Sequence, residues 1–152
     1  MPTLYRLVYA SQIAPICRGD LRAALTGILT HAIAANRPRA VTGLMIAHRG
    51  WFVQALEGPP DAVKDLFELI AADGRHHHAL PVAEGAAEER LFGQWPMGAR
   101  LLSSGDEAVL SSLDATQPFE PMRAPHRTLT RLLSNVADVH WRLISEQQAL
   151  AA

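Results

Sequence analysis

The chain predicts an α+β sandwich of order βαββαββ, with two helices on one sheet face and a C-terminal helical extension. Three observations predict it. Runs of β-forming residues recur at 3–11, 41–47 and 51–57. Two segments with apolar residues at helical spacing separate or follow them. Clusters of Gly, Pro and Asp punctuate the junctions.

Thr3–Ser11 (TLYRLVYAS) is apolar on both parities apart from Arg6, as an inner strand buried on both faces would be. Asp20–Asn36 is a helix with Asp20 as its N-cap. Leu21, Leu25, Ile28, Leu29, Ala32 and Ile33 form its apolar face. Pro38 disfavours helical geometry at Arg37 and ends it. Val41–Ala47 and Trp51–Glu57 read as strands joined through His48-Arg49-Gly50 in a hairpin. Gly58-Pro59-Pro60-Asp61 opens a second helix to about Ala72, with Val63, Leu66, Phe67 and Ile70 facing inward. Extended pieces near Leu80–Glu84 and Gln94–Leu102 follow. This order is ferredoxin-like with one extra strand. It makes the first and third strands central neighbours, taken here as parallel. Ser103–Pro125 reads as a linker, with a helical turn near Glu107–Leu113. Helical spacing returns from Thr128 to about Gln147 with Leu129, Leu132, Leu133, Val136, Val139, Leu143 and Ile144. That helix can cover the open sheet face or pair with another chain. The division expected is residues 1–102 as the core domain and 103–152 as linker and terminal helix, with no separate effector domain.

With 152 residues the chain can bury a core without disulfide staples. Apolar residues make up 49% and charged residues 19%, and the net charge of −1 leaves no electrostatic footprint for nucleic acid. The single cysteine, Cys17, permits no intrachain disulfide and fits a reducing compartment. The N-terminus lacks the pattern of a signal peptide. No run approaches the ~20 apolar residues of a membrane helix. The expected location is the cytoplasm, with no nucleic-acid or membrane partner.

Five segments, in order over residues 3–102, resemble the BLUF family. They are LYRLVYAS ending at Tyr9 with Ser11 and Gln12 following; Asn36 six residues before Thr42-Gly43; WFVQALEG carrying Gln54 and closing on Glu57-Gly58; Asp73-Gly74-Arg75-His76 after the second helix; and Arg90-Leu91-Phe92 followed by Trp95-Pro96-Met97-Gly98. The resemblance implies a blue-light receptor that binds FAD noncovalently. It implies that Gln54 lies between Tyr9 and the reactive edge of the flavin. Excitation would draw an electron and then a proton from Tyr9, and Gln54 would rearrange as the pair recombines. A primary amide suits this, because its carbonyl and NH2 ends can exchange roles with almost no change of shape. By the same resemblance, Ile28 and Ile70 clamp the ring and Asn36 binds its pyrimidine end. Asp73, Arg75 and His76 lie near the ring edge and the ribityl–phosphate chain, with Arg75 the candidate anion contact. Trp95 and Met97 link the pocket to the last strand. Three features depart from the family: about three extra residues around Ile13–Arg18, Ala32 where a serine is common, and Pro96 where a small polar residue is usual.

Each residue also has a plainer reading. Tyr9 and Gln54 can be satisfied core residues, Asn36 a helix-end residue, and Ile28, Ile70, Trp95 and Met97 packing. His76-His77-His78 invites a metal, but adjacent side chains diverge and no carboxylate or cysteine set stands at ligand spacing. His31, His48, His126 and His140 read as solvent-facing or packed. The competing functions are a flavin-free interaction module of the same fold and a small metal-dependent enzyme. A photoreceptor would do no substrate chemistry. It would pass its signal to a separate downstream signalling protein or through a change in a homo-oligomer.

Overall fold

The computed structural model describes residues 3–93, 95–102, 120–123 and 128–138. Its elements are β1 (Leu4–Ile13), a 3-10 helix (Pro15–Asp20), α1 (Leu21–Asn36), a 3-10 turn (Arg37–Arg39), β2 (Thr42–His48), β3 (Trp51–Gly58), α2 (Pro60–Ala71), β4 (His76–Ala87) and β5 (Gly98–Leu101). A further helix, α3, covers residues 128–138. The expected turn near Glu107–Leu113 and the stripe residues Val139, Leu143 and Ile144 lie outside the described residues.

The sheet order is β4-β1-β3-β2-β5. β1 and β3 are central neighbours, but they run antiparallel, correcting the parallel expectation. The reason is connectivity. The α1 crossover returns the chain so that β2 runs in the direction of β1. The β2–β3 hairpin then reverses it. β5 alone pairs in parallel, with β2.

Local signals explain most boundaries. The Asp20 side chain accepts from the Ala23 N–H at 3.1 Å, the expected N-cap. His48 pairs with Trp51, so the hairpin loop is only Arg49-Gly50. Their φ angles of 48° and 88° are both left-handed, the geometry of a two-residue hairpin turn. β4 is longer than expected and takes in the histidine run, because it pairs along nearly all of β1, from Leu4↔Ala87 to Ile13↔His76. The last strand is shorter than expected. Pro96 has no N–H for a ladder, and regular pairing starts at Leu44↔Gly98.

Both sheet faces are buried, as the two-parity pattern of β1 requires. Leu7 and Tyr9 face α1 and α2, in a core with Leu25, Met45, Phe52, Leu56, Val63 and Leu66. Val8 and Ala10 face the opposite way with Leu44, Ile46, Val53 and Ala55. α3 closes that second core with Leu129, Leu132, Leu133 and Val136, all fully buried. Of the two uses left open for the terminal apolar stripe, its described part covers the sheet.

Candidate functional site

Between α1, α2 and the sheet lies a cleft, partly open to solvent. Among its lining residues are Tyr9, Ile28, Asn36, Gln54, Ile70, Asp73, Arg75 and His76. Eight of the ten sequence-predicted site residues are thus brought together; Trp95 and Met97 are not part of the lining. α1 and α2 run antiparallel. Asn36, at the C-terminus of α1, and the Asp73–Arg75 segment after α2 therefore occupy opposite ends of the cleft.

On the floor, Tyr9 and Gln54 are directly paired across β1 and β3. The Tyr9 hydroxyl donates to Gln54 Oε1. Gln54 Nε2 donates to Met97 Sδ at 3.3 Å. All three residues are buried, and no fully buried side-chain polar atom among the described residues lacks a partner. Burial, and then the charge of Asp73, pushes the Tyr9 phenol well above the usual tyrosine range. A buried phenolate is disfavoured, so Tyr9 stays a donor.

At one end, the Asn36 side-chain amide donates to the Pro96 carbonyl at 2.8 Å. At the other, Arg75 grips Asp73, with Nη2 2.5 Å from Oδ2 and Nε 3.0 Å from Oδ1. That hydrogen bonding holds the Asp73 carboxyl down at about 2. The 3-10 helix Pro15–Asp20 and the residue before it brace this end. The Ala14 N–H and the Cys17 thiol both donate to the Arg75 carbonyl, at 3.0 and 3.6 Å. His76 lines the cleft with both ring nitrogens engaged, Nδ1 with Ser11 Oγ at 2.7 Å and Nε2 with the Ile70 carbonyl at 2.6 Å. A carbonyl only accepts, so Nε2 carries a hydrogen. His76 thereby ties Ile70, through its carbonyl, to Ser11 of β1.

Trp95 and Met97 part to opposite sides of the sheet. Met97 packs in the core beneath the cleft. Trp95 packs against the second core, the one α3 closes. Glycines make both placements possible. A Cβ at Gly43 would meet the Ala55 carbonyl oxygen at 2.1 Å and Met97 Cε at 3.0 Å. One at Gly98 would meet Leu44 Cδ1 at 2.9 Å and the Trp95 ring at 3.4 Å. The segment leading to Trp95 is anchored by Glu57, a fully buried carboxylate. It accepts from Arg6 Nε at 2.7 Å and from the Leu91 and Phe92 N–H groups at 2.9 and 2.8 Å. Arg90 donates to the Glu57 and Ala40 carbonyls and to Thr42 Oγ1.

Sequence reasoning missed Met45, Phe52, His31, Ala35, Leu66 and Leu69 as lining residues, and Ser11 as the partner of His76. Strand parity held the signal for Phe52, two residues before Gln54, and for Ser11, two after Tyr9. Helical spacing held it for Ala35, seven residues after Ile28, and for Leu66, four before Ile70. Among the described residues no three His, Cys, Asp or Glu side chains converge as metal ligands.

The donor set fits FAD. Apolar side chains of two helices form opposed walls, primary amides lie at the floor and one end, and a guanidinium lies at the other end. This is the pattern of an apolar pocket with a few placed polar groups.

Comparison with known proteins agrees. The family model described as sensors of blue light using FAD matches residues 4–98. The photoactivated adenylate cyclase subunit beta of Euglena gracilis is 35% identical over 117 residues, 76% of this chain and 13% of that protein. The chain thus spans a small part of that relative. BlsA in its photo-activated state superposes with a TM-score of 0.77 at 28% identity, covering 88% of this chain and 94% of BlsA. BlrB, a BLUF protein in its dark state, gives 0.74 at 26% identity, covering 91% of this chain and 98% of BlrB. With the family model spanning more than half of its length, the chain belongs to the BLUF family, the sensors of blue light using FAD.

Proposed function

We propose that light sensing in this chain runs through Tyr9 and Gln54 and leaves the pocket at Met97. The observation that carries this reading is the continuous polar line from the Tyr9 hydroxyl through Gln54 to Met97 Sδ, set in a buried floor. Ile28 and Ile70 would hold the ring of FAD, Asn36 one polar end, and Arg75, poised by Asp73, the anionic part. Bound FAD supplies the blue absorption and, once excited, a place for an electron. Tyr9 would hold its proton against Gln54 Oε1, give up an electron and then that proton on excitation, and recover both in the recombination during which Gln54 rearranges. Rotation of the Gln54 amide then exchanges its donor and acceptor ends. A thioether carries no hydrogen and can only accept. After the exchange Met97 Sδ faces an oxygen, and its attraction to Gln54 is lost.

Residues 1–102 serve as the flavin-binding unit in this reading, and 103–152 as linker and output helix. In this reading the unit senses light and does no substrate chemistry of its own. Output goes to a separate signalling protein or to a change in self-association, with the cytoplasm as the setting. The name of the Euglena relative joins light activation to a cyclase, and the matched segment is 13% of that protein. Among the described residues no helix is long and apolar enough to cross a membrane.

An absorption spectrum before and after blue light tests the reading. The purified chain is expected to be yellow, to red-shift on illumination and to revert in darkness. No bound flavin after reconstitution with excess FAD would overturn it in favour of a flavin-free interaction module.

A further inference from the structure

We propose that Asn36 is a positioning residue for the output as well as part of the pocket, because its side-chain amide holds the Pro96 carbonyl and so ties the segment before β5 to α1. The proposal rests on the relay described above. Two primary amides from different elements converge on consecutive residues. Asn36 of α1 donates to the Pro96 carbonyl at 2.8 Å, and Gln54 of β3 donates to Met97 Sδ at 3.3 Å. The two ties are unequal. A carbonyl oxygen is a good acceptor and a thioether sulfur a weak one. The segment is short and fixed at both ends. Upstream, Glu57 holds the Leu91 and Phe92 N–H groups; downstream, Gly98 is in register with Leu44. Between them, the Trp95 carbonyl accepts from the Gly43 N–H at a longer 3.4 Å. Pro96 has no N–H, so its carbonyl is the sole backbone polar group through which it can be held. Asn36 itself is well fixed, being 1% exposed with its own carbonyl accepting from Val41 N–H at 3.1 Å. When Gln54 releases Met97, the Asn36–Pro96 bond still ties the segment to α1, and it changes length or angle as Met97 moves.

The test is light-minus-dark infrared difference spectroscopy on the full chain loaded with FAD, with carbonyl carbons of its ten prolines labelled with 13C. A label-sensitive amide I change on illumination is expected. It should vanish in Pro96→Ala or Pro96→Ser, which keep the carbonyl but not the label. A static structural bond would give no such change. Two results overturn the proposal while leaving the relay standing: a red shift with no label-sensitive change, or a change that persists in both variants. Absence of the red shift in the parent chain would overturn relay and proposal together.

Discussion

In the proposed reading Tyr9 and Gln54 relay the signal and Asn36 holds the ligand, and substitutions should separate the two jobs. Tyr9→Phe and Gln54→Leu each remove half of the buried Tyr9–Gln54 pair and leave Ile28 and Ile70 in the cleft wall. Both variants should retain FAD and lose the light-induced red shift; a parent-like shift in either would show the relay misassigned. Asn36→Ala removes a polar wall group instead. An unpaired buried polar group costs about 1–3 kcal/mol, so FAD affinity by titration should fall about 5- to 150-fold. A third residue reports on acidity. Asp73 is held at about 2 against an ordinary 3.8, first by its hydrogen bond to Arg75. As pH falls, the unfolded chain takes up this proton before the folded one. The contribution of Asp73 to stability is therefore complete above 3.8 and is lost between 3.8 and about 2. Denaturation midpoints measured across that window should fall less steeply for Asp73→Asn than for the parent.

At the level of elements, the β5 approach and α3 share one physical situation. Consecutive odd residues of the 95–97 segment go to opposite faces, Met97 to the flavin side and Trp95 to the side that α3 closes. Gly43 and Gly98 make the room, so the Thr42-Gly43 and Met97-Gly98 pairs in the sequence are packing requirements of this split. α3 is not an accessory in this arrangement. Leu132 is fully buried against the sheet, and truncating such a leucine costs about 2–5 kcal/mol in transfer and cavity energy. Leu132→Ala should lower stability by that amount in urea unfolding while the folded fraction still binds FAD, since the residue belongs to the core away from the cleft. Loss of flavin without loss of stability would contradict that division.

Over the whole molecule, the two cores place the sheet between a ligand cleft and a helix that covers it from behind. A change at Gln54 can reach α3 through a single strand thickness, by way of Met97 and Trp95. Such coupling requires that the two packings of the segment differ by a few kcal/mol or less. Hydrogen exchange in darkness and under blue light should show changed protection in residues 95–102 or 128–138. Unchanged exchange in both, with change elsewhere, would move the output to another surface.

Periodicity and turn chemistry determined the order of elements, the Asp20 cap, the hairpin and the face of α2, because these depend on residues near one another in sequence. Strand order made β1 and β3 neighbours, and the family resemblance placed Gln54 beside Tyr9; the register that pairs them came from the structure. Connectivity could have supplied the antiparallel sense of that pair; pattern could not, because a strand buried on both faces looks the same in either direction. The extent of β4 followed from its pairing with β1, a contact remote in sequence that carries a polar histidine run into the ladder. Only the tertiary structure decided which Trp95–Met97 side chain faces the cleft, what His76 spends its nitrogens on, and that Asn36 reaches Pro96. Apart from the bond from His76 to Ile70, these contacts join segments 43 to 65 residues apart, fixed by packing that no local pattern records.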